Sequence, residues 1–315
     1  MILALLQGHE AAEGAHEAAK EGFNAGEVIL EHISNSSLND PLIHLPKILG
    51  IDFSVTKHVF MLWLIATFLF VFLTWAVRRY IRQGPVPKGV ISLGLEYVVE
   101  LIRDAIVAPN VGQKWVNTWA PLILTFFVFI FSANVIGLIP IFDSLAVLNH
   151  FVIHANHESF FGKVIHGGTT ATGNYNVTAG LAVVTFFAII VAGSKAHGFT
   201  KHVKNIVPHG LALPIYFILW PIEILGMFVK PFALTMRIAA NMTGGHIALL
   251  AVMSLVFLAT EMFKAALAGI VAGFVLSVPL ALGILALELI VVLVQAYVFT
   301  LLSAVFIGMA IHVHH

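Results

Sequence analysis

The chain has 315 residues, of which 59% are hydrophobic and 10% charged, with a mean hydropathy of +0.97. A soluble domain carries about 25% charged residues, so a soluble globular protein is excluded and an all-α polytopic membrane protein is expected. Lysine plus arginine and aspartate plus glutamate balance at 16 each, leaving no basic excess for nucleic acid, and the absence of cysteine removes disulfides, thiolate metal sites and thiol catalysis.

Residues 1–56 form the one sizeable polar stretch, expected outside the membrane. Its Ala/Glu-rich run HEAAEGAHEAAKEGFNAGEVILEHI predicts a helix, ended by SNSSLNDP. The opening MILALLQGHE lacks a basic n-region and its apolar run is short, so it reads as part of the mature chain. Residues 58–77 are an uncharged run of 20, enough to cross a core of about 30 Å. Arg78, Arg79, Arg82 and Lys88 follow and place that end in the cytoplasm. Over 88–108, Ile91, Leu95, Val98, Ile102 and Ile106 recur at helical spacing, with Glu96, Glu100 and Arg103 on a second face. That pattern predicts an amphipathic helix lying in the interface.

A second span is expected over 116–142 and a third over 177–194, separated by an outside loop at 143–176 whose single cation is Lys163. Lys195, Lys201 and Lys204 then return the chain to the cytoplasm. From 211 to 311 the sequence is almost continuously apolar. As one helix, 265–311 would be about 70 Å long, more than twice the core thickness. EMFK (261–264) and SVP (277–279) are the candidate interruptions, and a hairpin between them leaves two long, steeply tilted helices. Five crossings result, with the N-terminus outside, 57–311 as one membrane domain, and 312–315 as a cytoplasmic tail.

The charges inside this apolar half carry the functional argument. Arg237 lies in LTMRIAANMTGGH, and an arginine at the centre of a bilayer helix costs at least about 2.5–3.5 kcal/mol. Asn241 is one turn further on the same face, and Glu223, fourteen residues earlier, lies on a similar one. His246 is nine residues on, with Gly244 and Gly245 between. In the last helix Glu288 and Gln295 are seven apart and share a face among apolar neighbours. Carboxylate and imidazole can exchange protons near neutral pH when their surroundings tune them, whereas arginine stays charged. Titratable groups interrupted by a fixed cation describe a proton path with an electrostatic barrier in it. The alternative use of these residues is a buried ion pair of Arg237 with Glu223 or Glu288 that fixes helix packing.

KPFALTMRIAANMTGGHIAL (230–249) resembles the signature of the a subunits of F-type ATP synthases. SANVIGLIP (132–140) is similar to the family's asparagine–glycine–proline element, GFTKH (198–202) to the loop before its penultimate helix, and 277–310 to its last helix. The resemblance covers residues 55–311. It implies two long tilted helices against a rotating c-ring, with Arg237 separating two aqueous half-channels. Asn241, His246, Glu288 and Gln295 would line the outside half-channel, and Glu223 the cytoplasmic one. In some bacterial members the glutamate comes first and the histidine second. Here His246 precedes Glu288, similar to mitochondrial members, so the two are expected to work as a coupled pair.

The implied setting is a bacterial inner membrane, with the c-ring and the peripheral-stalk subunit b as partners. One charge crossing 100 mV is worth about 2.3 kcal/mol, so several steps must accumulate in a rotor to make ATP. The chain has no phosphate-binding G-x-x-x-x-G-K-[ST] motif, so nucleotide chemistry is expected on other subunits, and this chain is expected to be non-catalytic and without cofactor. Two rival readings differ in class. His150, His154, His157, Glu158 and His166, with the terminal HVHH, allow a metal-dependent membrane enzyme, but the predicted topology puts the two clusters on opposite sides. A secondary transporter would show interrupted segments in corresponding halves, and no such pair is evident.

Overall fold

The computed structural model describes residues 54–83, 89–138, 171–204, 213–263 and 266–312. Most of the polar N-terminal segment and the histidine-rich stretch at 150–166 lie outside the described residues. Among those described there is no strand, and no group of three or more His, Asp or Glu side chains that could hold a metal.

Helix α1 spans Lys57–Arg82. Its apolar run continues until Arg79 and Arg82 occupy the last turn, where cations complement the helix dipole. The Arg79 guanidinium lies 5.5 Å from the centre of the Trp75 ring. After Gly89 (φ 96°) comes α2, Val90–Glu100, at the predicted amphipathic segment. It does not end there. Leu101–Val107 widens into a π-helix and leads into a four-residue helix α3, Ala108–Val111. The wider turn buries Ile102, Ile106 and Val107 together. Gly112, at φ 82°, then reverses the chain with a conformation that glycine adopts without penalty.

Helices α4 (Val116–Leu138) and α5 (Tyr175–His197) are the expected second and third spans. The Asn174 side chain caps α5, accepting a hydrogen bond from the Asn176 amide at 2.8 Å. Gly198, at φ 84°, ends α5, and a short α6 follows at Phe199–Lys204. The apolar remainder resolves into α7, Leu213–Phe263, and α8, Ala266–Ile311.

The interruption therefore falls at the end of EMFK. SVP does not break the chain, because Pro279 lies inside α8, as Pro221 and Pro231 lie inside α7. A proline forfeits one backbone hydrogen bond, a loss that spans tolerate when neighbouring groups re-satisfy the freed carbonyl. With 51 and 46 residues, α7 and α8 are about 76 and 69 Å long, so both must tilt to stay within a core of about 30 Å. Among the described residues, five helices (α1, α4, α5, α7 and α8) are long and apolar enough to cross a membrane.

The chain divides into two compact units. The larger comprises residues 63–133, 172–240 and 292–315. Its core gathers Ile102, Ile106, Ile123, Ile130, Ile238 and Ile307, each no more than 2% exposed, with Phe126 meeting Phe299 edge to face at 5.4 Å. Histidines tie down the end of α8 in this unit: His197 Nε2 lies 2.8 Å from the Ile311 carbonyl, and His312 Nε2 lies 3.0 Å from that of Val111. The other unit comprises residues 1–62, 134–171 and 241–291. There Gly269 lies against the Thr260 backbone and Gly273 against Val256, so closely that a β-carbon at either glycine would overlap its neighbour. Glycine at such positions lets two helices approach backbone to backbone, the usual contact of helices in lipid.

Candidate proton-path residues

In the larger unit, α7 carries Glu223, Lys230 and Arg237 at intervals of seven, which returns each to nearly the same face. Glu223 is half-buried. Lys230 extends over the Phe306 ring, with its Nζ 5.6 Å from the centroid. The Arg237 side chain is exposed, and among the described residues it makes no ion pair. Its backbone is nonetheless held: Gln295, 4% exposed on α8, donates from Nε2 to the Arg237 carbonyl at 3.0 Å. That oxygen also belongs to the helical hydrogen-bond ladder, and a carbonyl's second lone pair can accept the extra bond. Two residues earlier along α7, the Thr235 hydroxyl bonds the Thr178 carbonyl on α5 at 3.3 Å. The main chain around the cation is thus fixed from two helices while the guanidinium faces away from its own unit's core.

The smaller unit holds Asn241, His246 and Glu288. Asn241 is exposed and His246 half-buried. Glu288 is 4% exposed, and neither of its carboxylate oxygens has a hydrogen-bond partner among the described residues. The carboxylate occupies the space where a side chain at Gly245 would sit. Gly245 is therefore a cradle for Glu288, placed one residue before His246. Its neighbour Gly244 faces open space, so the two glycines of TGGH have different duties. A buried carboxylate without a partner is costly, and such groups in membrane spans are functional by default.

Sequence reasoning alone assigned no role to Gly245 or Lys230. The spacing of Lys230 from both Glu223 and Arg237 was a readable signal. For Gly245 the only hint was a glycine pair beside a histidine, and nothing in the sequence names its partner 43 residues away. His202, on α6, was also missed. Its ring packs against Gly193 of α5, it is 7% exposed, and its buried Nε2 has no hydrogen-bond partner among the described residues. Burial, aided by nearby His197, holds its imidazole below the ordinary value of 6.5.

The fold and the charges within its apolar helices together define a polytopic, all-α membrane protein that keeps ionisable groups along its longest helices. Comparison with known proteins adds the family: the chain belongs to the ATP synthase A chain family, which matches residues 59–308. It is 39% identical over 311 residues to ATP synthase subunit a 2 of Chlorobium luteolum, covering 95% of this chain and 80% of that one. It is 38% identical over 309 residues to ATP synthase subunit a 2 of Prosthecochloris aestuarii, with 95% and 82% covered. ATP synthase subunit a of Chlorobium phaeobacteroides (strain DSM 266 / SMG 266 / 2430) is 36% identical over 318 residues, with 98% and 82% covered.

Proposed function

We propose that this chain is the stator subunit through which protons cross the membrane sector of an ATP synthase, coupling their flow to rotation of a c-ring. The observation that carries this reading is Arg237: an exposed cation on an apolar helix, without an acidic partner among the described residues, its main chain held by Gln295. Protons cannot hop through a guanidinium, which does not release its own. A rotor carboxylate can pass it, ionised while beside the arginine and able to take a proton once away from it.

In this mechanism Arg237 separates two offset half-channels. Asn241, His246, Glu288 and Gln295 serve the outside one, and Glu223 serves the cytoplasmic one. Gly245 leaves room for the Glu288 carboxylate, so that a proton can be passed between it and the adjoining imidazole. The chain itself performs no nucleotide chemistry. Its partners are the c-ring, subunit b and the lipid of a bacterial inner membrane, with the N-terminus outside and the C-terminus in the cytoplasm.

The test of the proton path is an exchange. His246→Glu and Glu288→His are made singly and together, and ATP-driven proton uptake is measured in inverted vesicles. A working pair predicts that the double variant pumps better than either single one. A double variant no better than the singles would break the pairing.

A further inference from the structure

Within the larger unit, α5 and α7 leave a groove of about 310 Å³ between them. The helices run antiparallel along it, since Thr178 meets Thr235 at one end and Phe186 stacks on Phe228 (4.8 Å) at the other. The lining runs from Tyr175 to Phe186 on α5, a rise of about 16 Å. That is half of a hydrocarbon core of about 30 Å, the depth of one leaflet.

The walls are apolar, and the polar groups gather at one end, where Tyr175 and Asn176 begin α5. The remaining polar wall residue, Thr235, already directs its hydroxyl to the carbonyls of Thr178 and Pro231. An ordered water needs two to four polar partners, which the body of the groove does not offer. The groove also opens onto exposed apolar side chains, Val183 on α5 and Phe228 and Phe232 on α7. It is continuous with the surface that a membrane span presents to lipid.

We infer that this groove seats one acyl chain of a membrane phospholipid, with the headgroup and glycerol at Tyr175 and Asn176 and the methyl end toward Phe186 and Phe228. Tyrosine at the interfacial end suits such a ligand, because its ring lies in the apolar layer while its hydroxyl reaches the headgroups. The lining ends at Thr235 and Met236, beside Arg237, but the site rests on no role of Arg237, so failure of one reading leaves the other standing.

The experiment uses the intact ATP synthase in its membrane, loaded with a phosphatidylglycerol that carries a photoactivatable diazirine midway along one chain. Adducts are mapped by mass spectrometry. The site predicts more adducts at Phe186, Phe228 and Phe232 than at Phe68 and Phe70, which are exposed on α1 and report ordinary boundary lipid. Ala179→Phe, which places a ring in the groove, should lower the groove adducts about tenfold and leave those on α1 unchanged. Val183→Trp is the second variant, at an exposed position, and should act in the same direction. Groove adducts no more frequent than those on α1 would overturn the site, as would adducts insensitive to both substitutions. Crosslinks from these positions to another subunit in place of lipid would also overturn it. If neither variant assembles, the wild-type ratio of groove to α1 adducts decides alone.

Discussion

Arg237 and Glu288 are both ionisable groups in long apolar helices, and the protein treats them in opposite ways. Around Arg237 the main chain is held, by Gln295 through the carbonyl, while the side chain is exposed. Around Glu288 the side chain is enclosed, pressed into the gap left by Gly245. A cation turned outward needs something beyond its own unit to compensate it, which suits a passing carboxylate on a rotor. A carboxylate turned inward meets only what its own unit supplies, which suits a fixed relay. In the proposed mechanism, the contrast would separate a group that acts on a moving partner from a group that acts within the stator.

The sharpest way to break this contrast is at the glycines. Gly245→Val should abolish most ATP-driven proton uptake, because the added side chain must displace the Glu288 carboxylate, an overpacking strain of about 1–3 kcal/mol at a functional group. Gly244→Ala, one residue away, meets open space and should pump nearly as wild type. Equal effects of the two substitutions would mean that the cradle is incidental. Gln295→Leu tests the other side. It removes one hydrogen bond, a loss of about 0.5–1.5 kcal/mol, so uptake should fall by no more than about tenfold with assembly intact. If uptake vanished entirely, Gln295 would do more than hold the Arg237 backbone.

A smaller effect is expected at His202. Its imidazole is held below 6.5 by burial, with nearby His197 adding to the effect. Above the unfolded value both folded and unfolded forms are neutral, and the full stability is present. As pH falls through about 6.5 the unfolded form takes up a proton that the folded form resists, so stability is lost until pH falls below the depressed folded value. Amide exchange in 199–204 should therefore quicken on acidification through that window. His202→Phe should remove the dependence. An unchanged pH profile in that variant would assign it to another group.

Much of the fold was readable from sequence because the first three spans are uncharged runs bounded by cations or polar loops. Arg79 and Arg82 close α1, and Lys195 and His197 lie in the last turn of α5. The boundary between α7 and α8 was harder, since apolar residues flank both EMFK and SVP and hydropathy is nearly flat across them. Pro279 looks like a breaker in isolation, yet it is carried inside α8. The π-helix at Leu101–Val107 was also hidden, because one additional residue per turn shifts the apolar period too little to be seen in seven residues.

The candidate site was legible where helix periodicity sufficed. Arg237 with Asn241, and Glu288 with Gln295, follow from spacing along one helix. Which residue of α7 meets which residue of α8 is a matter of tertiary register. That register brings Gly245 to Glu288 and Gln295 to the Arg237 carbonyl, and no local pattern encodes it.

The most direct test of the central claim is ATP-driven proton uptake into inverted membrane vesicles, comparing wild type with Arg237→Ala and checking assembly by co-purification of the c-ring. The account predicts an assembled variant in which pumping is lost. Undiminished pumping in that variant would contradict it, because Arg237 would then not be the barrier between the half-channels.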